Sequence, residues 1–200
     1  MLVIGLTGNI GCGKSSLSKI LEENYFDIID ADLISREIMN NSDLLKEVFD
    51  TFGDNIKRND GTLDRKKLGE IVFNDDKKLI ELNSLTHPAI KKEIIKKINN
   101  IKSNNKDIAI VDAALLIEGN FLDLVDKLVV ITCNENIQLE RIINRDNITK
   151  NEAMSRINSQ MSQSEKIKFG DYIIDNSGDR EKLIYGASKL ITHIKEKWCE

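Results

Sequence analysis

A glycine-rich segment near the amino terminus constrains the fold of this chain more than any other feature. It reads Gly-Asn-Ile-Gly-Cys-Gly-Lys-Ser over residues 8–15 and follows an apolar run that begins at Leu2. Its spacing matches the G-x-x-x-x-G-K-[ST] pattern of phosphate-binding loops, which join a strand to a helix. Leu17, Ile20 and Leu21 supply the apolar spacing of that helix. The segment therefore predicts a strand, a phosphate-binding loop and a helix in direct succession.

Each part of this loop has a chemical reason. Gly8, Gly11 and Gly13 carry no Cβ, so the backbone can curl with its N–H groups aimed at a phosphate. The following helix adds partial positive charge at its amino end. Lys14 would place its ammonium on the β- and γ-phosphates, and Ser15 would offer a hydroxyl to Mg²⁺. The residues predicted to bind the nucleotide here are Gly8, Gly11, Cys12, Gly13, Lys14, Ser15 and Ser16.

Five short apolar runs predict a parallel sheet. They cover residues 2–7, 26–29, 108–111, 128–132 and 172–174, and they are continuous rather than alternating, as in strands buried on both faces. Helical patterns lie between them, which predicts an α/β fold of the P-loop NTPase type, a parallel five-stranded sheet flanked by helices. A C-terminal helix is predicted to cover the sheet with Leu183, Ala187, Leu190, Ile191, Ile194 and Trp198.

The stretch between the second and third runs, from about residue 33 to 106, has a helical pattern throughout. A crossover between parallel strands needs only about a dozen residues, so this stretch is an insert with its own role. One apolar stripe contains Leu68, Ile71 and Val72, and another, just after His87-Pro88, contains Ile90, Ile94 and Ile98.

Composition and charge exclude several function classes. The 200 residues are 40% hydrophobic and 31% charged, which is typical of one globular domain with a core. The net charge of −4 lacks the basic excess that nucleic-acid binding needs, so no nucleic-acid partner is expected. No apolar run approaches the roughly 20 residues of a membrane span, and no basic segment opens the chain, so neither a membrane partner nor a signal peptide is expected.

Three cysteines, Cys12, Cys133 and Cys199, lie far apart in the sequence. Their number and spacing predict neither a disulfide framework nor a metal-binding pair, and they favour a reducing, cytoplasmic compartment. Cys12 is interpreted as a small filler of the loop. A redox switch is the alternative, because a helix amino terminus can lower the pKa of a thiol.

The surroundings of the loop favour a small-molecule kinase that uses ATP. The chain contains no N-K-x-D guanine clamp, and Ala rather than a catalytic Glu follows Asp112, so a GTPase and a motor ATPase are disfavoured. A kinase needs a carboxylate beside the acceptor hydroxyl. Asp30 and Asp32 follow the second run, at the edge of the sheet where ligands bind. Asp32 is the preferred base, and helix capping is the alternative for both.

Arginine is scarce in this chain, yet Arg141, Arg145 and Arg156 fall within one stretch. Arg141 and Arg145 are four residues apart and share a helix face, so we expect both guanidiniums to point at one transferring phosphoryl group. The alternative is a solvated face paired with Glu140 or Asp146. The opposite, buried face is predicted to contain Leu139, Ile142 and Ile143.

These motifs, in this order, resemble the dephospho-CoA kinase family over nearly the whole chain. The loop departs from the family at Asn9 and Cys12, where Gly and Ser are frequent, and both positions are variable in the loop pattern. The residues that carry the resemblance are residues 5–15, Asp30-Ala31-Asp32, Arg36-Glu37, residues 61–65, His87-Pro88, residues 111–118, residues 138–141, Arg145-Asp146, Arg156-Ile157, Gln160 and residues 174–178.

The resemblance implies ATP-dependent phosphorylation of the ribose 3′-hydroxyl of dephospho-CoA, the last step of CoA synthesis. Asp32 would be the base, Lys14 and Ser15 the phosphate and Mg²⁺ ligands, and Arg141 a transition-state cation, with Arg145 on the nucleotide. The substrate contacts implied are Asp32, Arg65, His87 and Leu115. One domain, residues 1–200, would comprise a core (1–32, 107–134, 171–200), a CoA-binding helical insert (33–106) and a lid (135–170).

Several assignments stay open at this level. Asp112 could reach Mg²⁺ through water, touch the substrate or cap a helix. His87 is more easily explained as structural, because it precedes Pro88, where a helix begins or bends. Gln160 could face the cleft or lie exposed. The chain could be a monomer or a weak trimer. The rival functions are another kinase of this superfamily, acting on a nucleotide or small alcohol, and an ATP-binding sensor without turnover.

Overall fold

Five parallel strands form one sheet in the computed structural model, which describes residues 1–40, 42–72 and 74–199. In chain order they are β1 (Leu2–Gly8), β2 (Asp27–Asp30), β3 (Ile108–Asp112), β4 (Lys127–Thr132) and β5 (Tyr172–Asp175). Their order across the sheet is β2-β3-β1-β4-β5, so β1 and the loop that follows it are central. The predicted five-stranded parallel α/β fold is confirmed.

Helices fill most of the chain between these strands. A π-helical turn, Ile194–Trp198, extends the last of them. Short 3-10 helices lie at Asp54–Ile56 and Leu122–Leu124. The α-helices of the described residues are α1 (Lys14–Glu23), α2 (Ala31–Ile38), α3 (Ser42–Phe52), α4 (Arg65–Val72), α5 (Asp76–Ser103), α6 (Glu135–Asp146), α7 (Lys150–Asn158), α8 (Gln163–Ile167) and α9 (Arg180–His193). Within the same described residues, none of the helices has the length and apolarity to cross a bilayer.

The sheet and its flanking helices form one compact unit, made of residues 1–30 and the chain from residue 97 onward. Its core is apolar because the central strands bury aliphatic residues on both faces, as the adjacent residues Val3 and Ile4 do in β1. Helices α1 and α9 cover one face of this sheet, and the predicted apolar stripe of α9 packs there. The core residues contributed by these helices and by the π-helical turn are Leu17, Leu21, Leu183, Ala187, Leu190 and Ile194.

Residues 31–96 form a second compact unit that is mainly helical. It has its own core, contributed by Val48, Phe52, Ile56, Leu63, Leu68 and Val72. Pro88 lies inside α5, so no helix begins there, contrary to one of the two expectations for this position. The helix continues because Leu82, Leu85 and Ala89, on both sides of Pro88, pack against the same core. One missing N–H is tolerated in a helix held by packing on both sides.

Candidate nucleotide-binding and phosphotransfer site

The phosphate-binding loop joins β1 to α1, as predicted. Gly11 and Gly13 have φ angles of 82° and 93°, in the left-handed region that disfavours a Cβ. Neighbouring residues also leave no room, since a Cβ on Gly13 would lie 2.2 Å from Nδ2 of Asn176. Gly13 precedes α1, whose first N–H groups and dipole favour an anion. Ser15 and Ser16 lie exposed in the first turn of α1.

Charged groups meet at the carboxyl edge of the sheet. The side chain of Lys14 forms an ion pair with Asp112, the last residue of β3, and these side chains are 12% and 6% exposed. Burial raises the pKa of Asp112, although the Lys14 charge and hydrogen bonds from Lys14 and Ser18 oppose the rise. Asp30 is the register partner of Asp112 on β2 and adds to the rise. Lys14 therefore already binds an anionic group, as a phosphate ligand must.

Asp30 and Asp32 occupy different positions relative to α2. Asp30 ends β2 and directly precedes the helix, whereas Asp32 lies within its first turn and is half-buried. A capping side chain belongs to the residue before the first helical residue. The capping interpretation therefore suits Asp30 better than Asp32.

Polar side chains from distant segments form hydrogen bonds to the backbone of the phosphate-binding loop. Nε2 of Gln138 donates to the carbonyl of Ile10 at 2.7 Å, and Oε1 of Gln160 accepts the N–H of Ile10 at 2.8 Å. Nδ2 of Asn176 donates to the carbonyl of Cys12 at 2.8 Å. These bonds fix the loop backbone on both sides of Gly11. Gln160 is thus half-buried against the loop and lies just after the end of α7.

The two arginines of α6 contact different groups in this structure. Arg141 donates to the carbonyls of Asn176 and Gly178, at 3.0 and 3.3 Å. Arg145 instead pairs with Asp146, with Nε 2.7 Å from Oδ1. The pairing with Asp146, predicted as the alternative, is confirmed. It arises because the exposed Arg145 has a counter-ion next to it, whereas Arg141 lies against the segment after β5.

The buried face of α6 also differs from the prediction. Gln138 and Ile142 are buried, while Leu139 and Ile143 are only half-buried. The glutamine is buried because both ends of its amide are bonded: Oε1 accepts from Gln163 at 3.0 Å while Nε2 donates to the loop. Sequence periodicity does not identify such a residue, because a polar side chain at this spacing is interpreted as exposed.

A cavity of about 560 Å³ opens beside the amino end of α1. Gly13 and Ser16 line it from the loop side, and Asn176 and Gly178 line it from the segment that joins β5 to α9. Arg141 also lines the cavity. A ligand with phosphates in the loop could therefore place its other end in this cavity.

Of the residues implied as substrate contacts, Leu115 lies after β3 and is 47% exposed. Arg65 and His87 belong to the unit of residues 31–96. Arg65, at the start of α4, donates to the carbonyl of Arg36 at 2.8 Å. His87 is half-buried in α5, and burial lowers its pKa, which favours the neutral imidazole.

Lys166 is a buried residue that sequence reasoning missed. It is 0% exposed, donates to the carbonyl of Ala114 at 2.8 Å and pairs with Glu118 at 3.0 Å. These bonds tie α8 to the segment after β3. The local sequence, Ser-Glu-Lys-Ile-Lys, indicates a solvated charged helix, so no signal in it marks this lysine.

Comparisons with known proteins agree with the motif order. The family model for dephospho-CoA kinase matches residues 2–182. A dephospho-CoA kinase of Carboxydothermus hydrogenoformans is 45% identical over 197 residues, which are 98% of this chain and 94% of that protein. One of Oceanobacillus iheyensis is 40% identical over 199 residues, covering 98% of each.

A solved structure of a dephospho-CoA kinase is similar to this chain in both fold and sequence. The dephospho-CoA kinase from Campylobacter jejuni is 32% identical, with a TM-score of 0.71 over 96% of each chain. The family model and both relatives span nearly the whole chain. The resemblance inferred from the ordered motifs is confirmed, and the chain belongs to the dephospho-CoA kinase family.

Proposed function

We propose that this chain transfers the γ-phosphate of ATP to the ribose 3′-hydroxyl of dephospho-CoA, giving CoA and ADP in the last step of CoA synthesis. The observation that carries the proposal is the phosphate-binding loop itself, which contains Lys14 and has a cavity next to it, in a chain of this family. The positive φ angles at Gly11 and Gly13 give the loop a shape that suits phosphate.

ATP would bind with its phosphates on the loop and its nucleoside in the cavity. Lys14 would exchange Asp112 for the β- and γ-phosphates, since the phosphates carry more negative charge than one carboxylate. Arg141 would stabilise the charge that develops during transfer, and Arg145 would contribute to nucleotide binding. The remaining nucleotide contacts of the proposal are Gly8, Gly11, Cys12, Gly13, Ser15 and Ser16.

The transfer step needs a base for the acceptor hydroxyl. Asp32 would accept the proton of the 3′-hydroxyl while that oxygen forms a bond to the γ-phosphorus. The bond from the γ-phosphorus to the bridging oxygen of ADP breaks in the same step. Substrate contacts would come from Arg65, His87 and Leu115.

The residues at the loop fit Mg²⁺. The hydroxyl of Ser15 is an exposed hard oxygen donor, and the carboxylate of Asp112, at the end of the neighbouring strand, could reach the ion through water. No group of three or more His, Cys, Asp or Glu that could hold a metal ion occurs in residues 1–40, 42–72 and 74–199. Mg²⁺ commonly takes one or two protein ligands plus substrate phosphates, which matches this set. When bound, it would neutralise phosphate charge.

We also propose that the protein works in the cytoplasm, as a monomer or a weak trimer. The free thiols of Cys12, Cys133 and Cys199 support a reducing compartment.

A coupled ADP-release assay with ATP and Mg²⁺ tests the proposal. Dephospho-CoA, AMP, dTMP and shikimate are compared as acceptors at equal concentration. We expect turnover with dephospho-CoA alone. Turnover confined to one of the other acceptors would contradict the proposal and favour another kinase of the superfamily. Tight ATP binding without turnover on any acceptor would favour the sensor function.

A further inference from the structure

Two thiols meet at the phosphate-binding loop. Cys12 lies in the loop and Cys133 follows β4, yet their sulfur atoms are 3.4 Å apart. The spacing of the cysteines in the sequence did not indicate this contact, and both are free thiols in the structure. They meet because β1 and β4 are neighbouring parallel strands, with Gly8 opposite Ile131. The segments that follow these two strands therefore leave the sheet side by side. The two residues are 0% and 7% exposed.

Neighbouring groups make the two thiols unequal. The sulfur–sulfur hydrogen bond with Cys12, together with the charge of Arg141, lowers the pKa of Cys133. Burial and the charge of Asp175 oppose that change. The same sulfur–sulfur contact, together with burial, raises the pKa of Cys12. Cys133 is therefore the nucleophile of the pair, because the thiolate is the reactive form.

A third residue holds the pair in place. Oε1 of Gln163 lies 3.3 Å from the sulfur of Cys12 and accepts the N–H of Cys133 at 2.8 Å. Nε2 of Gln163 donates to the carbonyl of Cys133 at 3.0 Å. One amide thus fixes both cysteines relative to each other, which favours a reaction between them over reactions with outside thiols.

We propose that Cys12 and Cys133 are an oxidation site, at which a hydroperoxide oxidises the two thiols to a disulfide. This disulfide prevents ATP from binding to the loop. The Cys133 thiolate attacks the outer oxygen of the hydroperoxide, the O–O bond breaks, and hydroxide or alkoxide leaves and takes up a proton. Cys133 is then a sulfenic acid. The Cys12 sulfur, losing its proton, attacks the Cys133 sulfur, the S–O bond breaks and water leaves. Two thiols lose two electrons and two protons, and the peroxide gains them.

Disulfide formation should distort the loop. A disulfide bond is about 2.05 Å long, so the sulfurs must approach by more than about 1 Å from their present contact. Cys12 lies between Gly11 and Gly13, its carbonyl accepts from Asn176, and its N–H donates to the carbonyl of Asn9. Moving it shifts the N–H groups that are proposed to hold phosphate. A misplacement of about 1 Å can cost about a hundredfold in rate. The functional consequence rests on the proposed ATP binding.

The experiment uses the full chain with Cys199→Ser, because the exposed Cys199 could link two molecules. The protein is treated with hydrogen peroxide, and disulfides are mapped by mass spectrometry of non-reduced peptides. ATP affinity is measured by calorimetry and transfer to dephospho-CoA by ADP release. We expect one Cys12–Cys133 disulfide, at least about a tenfold loss of ATP affinity in parallel with its formation, and recovery with dithiothreitol.

Cys133→Ser on the same background is the matched control. Serine keeps the size of the side chain but forms no disulfide, so peroxide should leave its ATP affinity unchanged. Cys133→Ala gives the same comparison if serine is poorly tolerated. Absence of the disulfide peptide in the parent, or a disulfide that leaves ATP affinity unchanged, would overturn the proposal. If the reduced parent binds ATP but does not phosphorylate dephospho-CoA, the proposed function is wrong. Disulfide mapping and ATP calorimetry still test the proposed oxidation site in that case.

Discussion

Two acidic residues beside the amino end of α2 carry different predicted roles, although they lie only two positions apart. Asp32→Asn is expected to lower kcat by about a hundredfold or more, because proton removal by a positioned base contributes about 10²–10⁴ to the rate. The dissociation constant of ATP should stay within about twofold, since Asp32 is proposed to act on the acceptor. The measurements are ADP release under saturating substrates and calorimetry with ATP.

Asp30→Asn is the matched control, because it removes the same charge two residues earlier. Asn caps helices about as well as Asp, so both kcat and stability should remain near the wild-type values. A wild-type kcat in Asp32→Asn would refute its role as the base. An equal loss in both variants would indicate a shared electrostatic effect.

The arginines of α6 differ in their surroundings, and this predicts unequal effects. Arg141→Ala is expected to lower kcat by about a hundredfold or more, as for other arginines that stabilise a transferring phosphoryl group. Arg145→Ala should have a smaller effect, about tenfold or less and mainly on KM for ATP. The reason is that the Arg145 guanidinium is exposed and forms an ion pair with Asp146. Wild-type turnover in Arg141→Ala would contradict this role and leave Arg141 only its hydrogen bonds to the carbonyls of Asn176 and Gly178.

Single residues of the loop could be predicted from the sequence, but their supporting residues could not. Residues 8–15 have a spacing that encodes the backbone shape, and Lys14 has a fixed place in it. Gln138 and Asn176 bond to backbone atoms more than a hundred residues away in the chain. No side-chain pattern records such a partner, because any residue could supply the carbonyl.

At the scale of elements, α6 supports the loop through one buried amide. Gln138→Ala would leave the carbonyl of Ile10 and the amide of Gln163 without this partner, at a cost of about 1–3 kcal/mol in the free energy of unfolding. The loop would also be less well positioned, so KM for ATP should rise more than kcat falls. Urea unfolding and steady-state kinetics measure the two effects. Asn136→Ala, on the exposed side of the same helix, should change neither, and equal effects from both substitutions would contradict the assignment.

Helix α5 is expected to make the stability of its unit depend on pH. Burial lowers the pKa of His87, so the unfolded chain binds this proton more readily than the folded one. The contribution of His87 to stability is therefore complete above its ordinary pKa and is lost as the pH falls below it. Urea unfolding at about pH 7.5 and about pH 5.5 measures the loss. His87→Gln, which cannot titrate, should lose less stability over that interval, and an identical loss would contradict the prediction.

The elements themselves were largely predictable, with one instructive exception. The five strands lie where continuous apolar runs predicted them, since strands buried on both faces need no polar alternation. The course of α5 through Pro88 was not predictable, because local rules disfavour an interior proline. Packing of Leu82, Leu85 and Ala89 against one core overrides that local cost.

For the whole molecule, net charge proved a poor guide to the ligand. A chain of net charge −4 is proposed to bind two polyanionic ligands. Local groups explain this, since Lys14 belongs to the loop, and the amino end of α1 and Arg141 line the cavity. The order of the strands could not be predicted from the sequence either, because it depends on pairings between distant segments that composition does not record.

Transfer of phosphate to the 3′-hydroxyl is tested most directly by phosphorus NMR of the product. The purified chain is incubated with ATP, Mg²⁺ and dephospho-CoA, and the new phosphomonoester is located by its coupling to the ribose protons. The predicted result is one equivalent of phosphate on the 3′-oxygen for each ADP formed. Phosphate on another oxygen of dephospho-CoA, or ADP formed without a phosphorylated acceptor, would contradict it.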